Sequence, residues 1–436
     1  MDILKKDKSF VWHPFTHQLD MIDPIVISKG EGVFLIDEMG EKYIDAISSW
    51  WVNLHGHCNS YISGRLGEQL FKLEHCLFSD FTHGPAATLA ENLIDILPAN
   101  QAKIFYSDNG STAVEVAIKM VLQYWHNQNI EKKTLIAIEG SYHGDTFGGM
   151  SVGARNVFNN AFESHLFEVK FIPFPTSDNR DIVVEKFEEI ARVGDVAGFI
   201  FEPLVQGAAG MRMYSAEILD RLIEISNQYS ICTIADEVMT GFGRTGKYFS
   251  CEYMNNLPDL VCMSKGLTGG YLPLGATSCA SFVYEKFLDQ DRAKTFFHGH
   301  SYTANPLACV AAIASLELLK SEECQNSIRS ITETNHQFKE QLSDRNSILD
   351  VRTLGTILAI ELKTEESTDY LNSISNYISS WFLRKRIVLR PLGNVFYLIP
   401  PYVVTPSQME YLQNCIVDFL DKFENEKGVK SQSFGQ

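Results

Sequence analysis

Short apolar runs bounded by turn residues alternate with amphipathic stretches through the middle of the chain, the pattern of βα units feeding a mainly parallel sheet. The runs are "KIFYS" (103–107), "TLIAIE" (134–139), "VAGFIFE" (196–202), "ICTIADEV" (231–238) and "DLVCMS" (259–264). Between the first two lies "STAVEVAIKMVLQYW". There Ala113, Val116, Ala117, Met120, Val121 and Tyr124 recur at helical spacing. From about Glu322 the pattern changes. "LDVRTLGTILAIEL" and "RIVLRPLGNVFYLIPPY", the latter with a "PLGN" turn that predicts an antiparallel pair, sit between helical patterns at 322–344 and 368–384. The N-terminal "GEGVFLIDEMGEKYIDAISSWW" alternates as strands about a "DEMGE" turn. The expectation is an α/β protein. A large domain with a mainly parallel sheet between helices spans 51–321, a small α/β domain spans 322–436, and an N-terminal segment, 1–50, joins the small one. The polar tail "NEKGVKSQSFGQ" is expected to fray, and no internal repeat is visible.

Composition narrows the partners. At 436 residues, 45% apolar and 21% charged, the chain can bury a large core. Its formal net charge of −17 repels phosphate backbones and anionic lipids, which argues against nucleic acid or membrane partners and for small molecules. Nine scattered cysteines without a C-x-x-C pair fit neither a disulfide framework nor a zinc site, so no metal is expected and reduced thiols in the cytoplasm are. No apolar run reaches membrane-spanning length, and "MDILKKDKSFVWHPF" lacks the apolar stretch of a secretory signal.

The chemistry gathers around "LVCMSKGLTGG" (260–270), where Lys265 stands between a buried apolar run and a glycine-rich loop. A buried ammonium is costly unless paired or neutralised. Asp236 ends another apolar run. Alone it reads as an ordinary loop carboxylate, but with Lys265 it forms the pair that pyridoxal phosphate needs: a lysine to condense with its aldehyde and an acid to keep its ring nitrogen protonated. Strand alternation puts Val238 on the face of Asp236, under the ring, and Tyr142 in "EGSYHGD" can stack on the other face. In "SDNGSTAVE", Thr112 and Glu115 match a capping box, which leaves Gly110 and Ser111 at a helix N-terminus suited to a phosphate, or to a plain helix cap. "GFGRTG" (241–246) matches a dinucleotide fingerprint only formally, because "KYFSCEYMNN" after it supplies no helix.

"SDNGSTAVEVAIK", "YHGDTFG", "FEPLVQGAAGM", "IADEVMTGFGRTGK", "SKGLTGGYLPLGA" and "HGHSYTANP" resemble, in order and spacing, the pyridoxal-phosphate aminotransferases of fold type I that include ω-amino-acid enzymes. The resemblance implies that Lys265 holds the cofactor and then moves a proton, and that Gly110 and Ser111 take the phosphate. It implies a homodimer in which His300 and Ser301 reach the partner's phosphate. "WHPFT", "SSWW", "VLQYW" and "LRPLGNVFYLIPPY" narrow the resemblance to enzymes that aminate 8-amino-7-oxononanoate to 7,8-diaminononanoate in biotin synthesis. Arg390 then takes the substrate carboxylate, Phe15, Trp50, Tyr142 and Gly299 line the substrate path, and Trp51 packs. Glu202 and Gln206 hold neighbouring loops or the cofactor's surroundings, and Arg244 and Asp145 are structural. The pattern usually carries tyrosine at Phe15, and proline and threonine at His300 and Ser301. With those departures "HGHSYTANP" is closer to lysine-using or general ω-aminotransferases, so lysine stands as the second choice of amino donor behind S-adenosylmethionine. Another ω-amino-acid or diamine transaminase, or a cofactor-binding regulator without turnover, are the competing readings.

Overall fold

In the computed structural model, residues 3–19, 23–366, 368 and 370–433 are described. The central sheet has seven strands, in the order Gln101–Ser107, Gly275–Ala280, Leu260–Met263, Cys232–Asp236, Val196–Phe201, Thr134–Ile138 and Val169–Ile172. Gly275–Ala280 alone runs opposite to the other six strands. The five apolar runs all become strands of this sheet. They show little alternation because both faces are covered: Phe199 and Phe201 pack into one core and Ile200 into the other.

Gly275–Ala280 escaped the sequence because "GATSCA" is small and polar. Its buried hydroxyls are satisfied by partners distant in sequence. Thr277 Oγ1 donates to Ala113 O at 2.7 Å and Ser278 Oγ to Gln101 Oε1 at 2.6 Å.

The helix Gly110–His126 begins earlier than the capping box placed it. Its N-cap is Asn109, whose Oδ1 accepts from Thr112 N at 2.9 Å, while Thr112 Oγ1 accepts from Asn109 N at 3.2 Å. Asparagine caps as well as threonine, and Glu115 is drawn elsewhere, accepting from Gly148 N at 2.6 Å. Gly110 and Ser111 still occupy the first turn.

The "PLGN" turn closes, with Leu392 and Val395 exchanging antiparallel backbone hydrogen bonds at 2.8 and 3.1 Å, but the expected strand pair does not extend from it. Ile387–Val388 pairs in parallel with Lys42–Asp45, in a sheet with Ile27–Glu31 and Phe34–Asp37. Val395–Leu398 instead pairs with Ile357–Leu362, itself antiparallel to Ile348–Leu354. Splitting the segment between two sheets buries Ile387, Val395 and Phe396, which a two-residue arm could not do in a hairpin. The second C-terminal helix spans Ile374–Arg384, shorter than the pattern suggested.

"GFGRTG" is a turn, with Gly243 at φ +95° and Gly246 at φ +94°. Arg244 between them is buried and donates to Pro400 O at 3.0 Å, Trp51 O at 3.2 Å and Asn53 O at 3.3 Å. No helix among the described residues is long and apolar enough to cross a membrane.

Candidate active site

A cavity of about 690 Å³ opens at the C-terminal ends of the parallel strands, where doubly wound sheets bind their ligands. Asp236 is the last residue of Cys232–Asp236, Glu202 follows Val196–Phe201, Tyr142 and His143 follow Thr134–Ile138, and Lys265 follows Leu260–Met263. Gly110 and Ser111 enter from the helix start, and all seven residues line the cavity. Lys265 has φ +47°, the left-handed region that an L side chain rarely adopts, so its placement is held by its surroundings.

His143 Nδ1 is 2.7 Å from Asp236 Oδ2, and Val238 N donates to Asp236 Oδ1 at 3.1 Å. The strand ends at Asp236, so strand alternation does not set Val238; this turn hydrogen bond does, and Val238 still faces the cavity. His143 Nε2 is buried without a protein partner. Histidine follows Tyr142 in the quoted "EGSYHGD", and its adjacency to the expected stacking residue was the available signal.

Lys265 is only half-buried because it faces the cavity, but its ammonium is surrounded by protein, 4.6 Å from the Trp51 ring centroid. Desolvation lowers its pKa to about 8, against the pull of Asp236 and Glu202. Burial raises Glu202 to about 7 although Tyr142 N and Gly207 N donate to it at 3.0 and 2.9 Å. The Tyr142 phenol is pushed up by burial and then by the Asp145 carboxylate, so it stays neutral.

At the helix start, Ser111 Oγ lies 2.7 Å from Thr146 Oγ1 and accepts from Thr146 N at 3.0 Å. A Cβ on Gly110 would come within 2.6 Å of Val238 Cγ1, so glycine is what lets this turn approach the cavity wall. The cavity thus offers a lysine of lowered pKa, a buried carboxylate fixed by histidine, an aliphatic and an aromatic wall, and a helix N-terminus. That donor set fits pyridoxal phosphate.

A second cluster gathers Phe15, Trp50 and Arg390. Phe15 and Trp50 meet edge to face at 5.4 Å, the Arg390 guanidinium lies 4.9 Å from the Trp50 ring centroid, and Arg390 Nη2 donates to Phe15 O at 2.8 Å. Phe158 and Tyr370 extend it, unforeseen from sequence. Trp51 faces Lys265 and donates from Nε1 to Tyr397 OH at 3.1 Å, so it both packs and lines the cavity. Gln206 Oε1 accepts from Arg212 at 2.6 Å, outside the cavity lining. Gly299, His300 and Ser301 are not brought to this chain's own cavity. Their loop is tied down by His75 Nε2 to Ser301 O at 2.6 Å and by His83 Nε2 to Ala304 O at 2.8 Å.

The sequence matches the family described as aminotransferase class-III over residues 16–420. It is 45% identical over 420 residues to a Synechococcus elongatus protein named adenosylmethionine-8-amino-7-oxononanoate aminotransferase, covering 94% of this chain and 98% of that one. A Geobacter sulfurreducens protein of the same name is 38% identical over 95% of this chain and 96% of its own. The crystal structure of the Methanocaldococcus jannaschii protein of that name superposes with a TM-score of 0.90 at 34% identity, covering 96% and 98% of the two chains. An omega transaminase from Pseudomonas jessenii, solved with PMP, shares the fold at a TM-score of 0.92 and 24% identity, over 98% and 99% of the chains. The chain belongs to the class-III aminotransferases, pyridoxal-phosphate-dependent enzymes of fold type I.

Proposed function

We propose that this chain aminates 8-amino-7-oxononanoate to 7,8-diaminononanoate in biotin synthesis, with S-adenosylmethionine as amino donor. The observation that carries the substrate reading is Arg390, whose guanidinium is braced between Trp50 and Phe15 O. A planar fork so held suits a carboxylate at the end of an apolar chain, and the surrounding Phe15, Trp50 and Phe158 supply apolar walls. The names of the relatives at 45% and 38% identity support the same reading.

Pyridoxal phosphate, when bound, supplies the ring that withdraws electrons from the reacting substrate carbon. Asp236, oriented by His143, would provide the counter-charge for its ring nitrogen. Gly110 and Ser111 would offer backbone N–H groups to its phosphate, and Val238 and Tyr142, which line the same cavity, would enclose it. Lys265 Nζ, with a pKa of about 8, carries a useful fraction of free amine near neutral pH and takes and returns the proton. Trp51 and Tyr142 narrow the cavity and limit water around that nitrogen.

The reading includes a homodimer. His300 and Ser301 lie outside their own cavity, and Phe71, Phe297 and Tyr302 are exposed at 95%, 75% and 67%, the kind of surface a second copy covers. The nine free thiols suit a reducing cytoplasm. Incubating the purified enzyme with S-adenosylmethionine, lysine, ornithine and other amines, and following the visible absorption of the lysine-bound cofactor, tests the donor. Bleaching by S-adenosylmethionine, followed by recovery with 8-amino-7-oxononanoate, is expected. Bleaching only by lysine moves the donor assignment, and no recovery with this acceptor removes the substrate.

A further inference from the structure

Ser48, Ser49, Trp50 and Trp51 all have positive φ, at +52°, +50°, +83° and +73°. L-residues enter this region singly, and a complete left-handed turn persists only where the surroundings over-determine it. Most of the fixings act at its ends. Ser48 Oγ donates to Ile399 O at 2.7 Å, Trp51 Nε1 to Tyr397 OH, and Arg244 to Trp51 O. The middle is held by Asp45. This fully buried carboxylate accepts from Ser49 N at 2.9 Å, Ser49 Oγ at 2.6 Å, Ile47 N at 3.3 Å and His57 Nε2 at 3.0 Å. His57 is fixed in turn by Asn53 Nδ2, 3.2 Å from its Nδ1.

Asp45 also ends the strand that registers against Ile387–Val388, with Asp45 opposite Val388. The chain that runs on from Val388 reaches Arg390. One carboxylate therefore stands where the turn bearing Trp50 and Trp51 and the strand leading to Arg390 meet. From it, Trp51 is delivered to Lys265 and Trp50 to Arg390.

We propose that Asp45 is a positioning residue for amino transfer: its carboxylate holds Ser48–Trp51 left-handed, and so sets the two tryptophans against Lys265 and Arg390. The part concerning Arg390 rests on the substrate reading above.

Glycine supplies the test, because it adopts positive φ without steric cost. Asp45→Ala, Asp45→Asn, Ser49→Gly and the double variant Asp45→Ala with Ser49→Gly are compared as holoenzymes. Kinetics are read as KM against kcat for the amino acceptor, and the tryptophans by near-ultraviolet circular dichroism. Misplacing a binding group by about an ångström is expected to raise KM in Asp45→Ala by ~10-fold or more, with a smaller fall in kcat. The tryptophan signal should weaken in parallel. Ser49→Gly added to Asp45→Ala should restore both to near the Ser49→Gly values, which a carboxylate needed only for general stability would not permit. If Asp45→Ala does not fold, Asp45→Asn with and without Ser49→Gly gives the same comparison. Unchanged KM and spectrum in the folded variants, or no recovery with glycine, overturns the assignment. If the wild type does not use 8-amino-7-oxononanoate, the substrate reading fails by itself. The variants are then read with the acceptor the wild type does use, and the spectral rescue needs no substrate.

Discussion

A lysine held among protein atoms pays for its position through its pKa, and Lys265 shows how. Desolvation takes it from 10.5 to about 8, with Asp236 and Glu202 pulling the other way. Below pH 8 the folded and unfolded chains both carry the proton and the burial cost is present. Between 8 and 10.5 the unfolded chain binds more protons, so the contribution of this residue to stability rises with pH. The limit is about 3 kcal/mol, less whatever screening the cavity provides. Lys265→Met should therefore abolish turnover. In cofactor-free protein, the melting-temperature gap between Lys265→Met and wild type should narrow from pH 7 to pH 10; a gap that does not move with pH contradicts the lowered pKa. Lys265 and Asp236 were legible because each ends an apolar run, where a charge needs a reason. His143 was not, since its part depends on a 2.7 Å approach to a side chain 93 positions away.

At the scale of elements, local chemistry decides where structure starts and long-range pairing decides where it goes. The helix Gly110–His126 starts at Asn109, whose side chain satisfies one of the otherwise unpaired first-turn N–H groups. Asn109→Ala should cost about 1 kcal/mol, read by denaturant unfolding. It should also weaken retention of the cofactor, because Gly110 and Ser111 lose a fixed first turn. Unchanged retention alongside lowered stability would separate the cap from the phosphate corner. The split of "RIVLRPLGNVFYLIPPY" between two sheets is the opposite case. Its turn residues are real, but both partner strands are distant in sequence, at 42–45 and 357–362. That split puts Arg390 beside Trp50.

For the whole molecule, the loop bearing His300 and Ser301 is ordered by its own chain yet stands apart from its own cavity. In a homodimer with shared sites, Lys265→Ala and Ser301→Asp would each disable the enzyme. The first removes the lysine and the second sets a carboxylate against the partner's phosphate. Unfolding, mixing and refolding the two should give mixed dimers with one intact site, and activity should reappear. No recovery, or sedimentation as a monomer, would count against shared sites. The α/β alternation, the five apolar strands and the lysine–aspartate pair were set by the sequence, because burial and charge cost act on each segment wherever it lies. Tertiary structure alone decided that "GATSCA" would join the sheet, that His143 would orient Asp236, and that Ser48–Trp51 would turn left-handed. Each of these is unfavourable or neutral locally: the first two depend on partners that the folded chain brings from far away, and the turn needs Ile399, Tyr397 and Arg244 from far away as well as Asp45 close by.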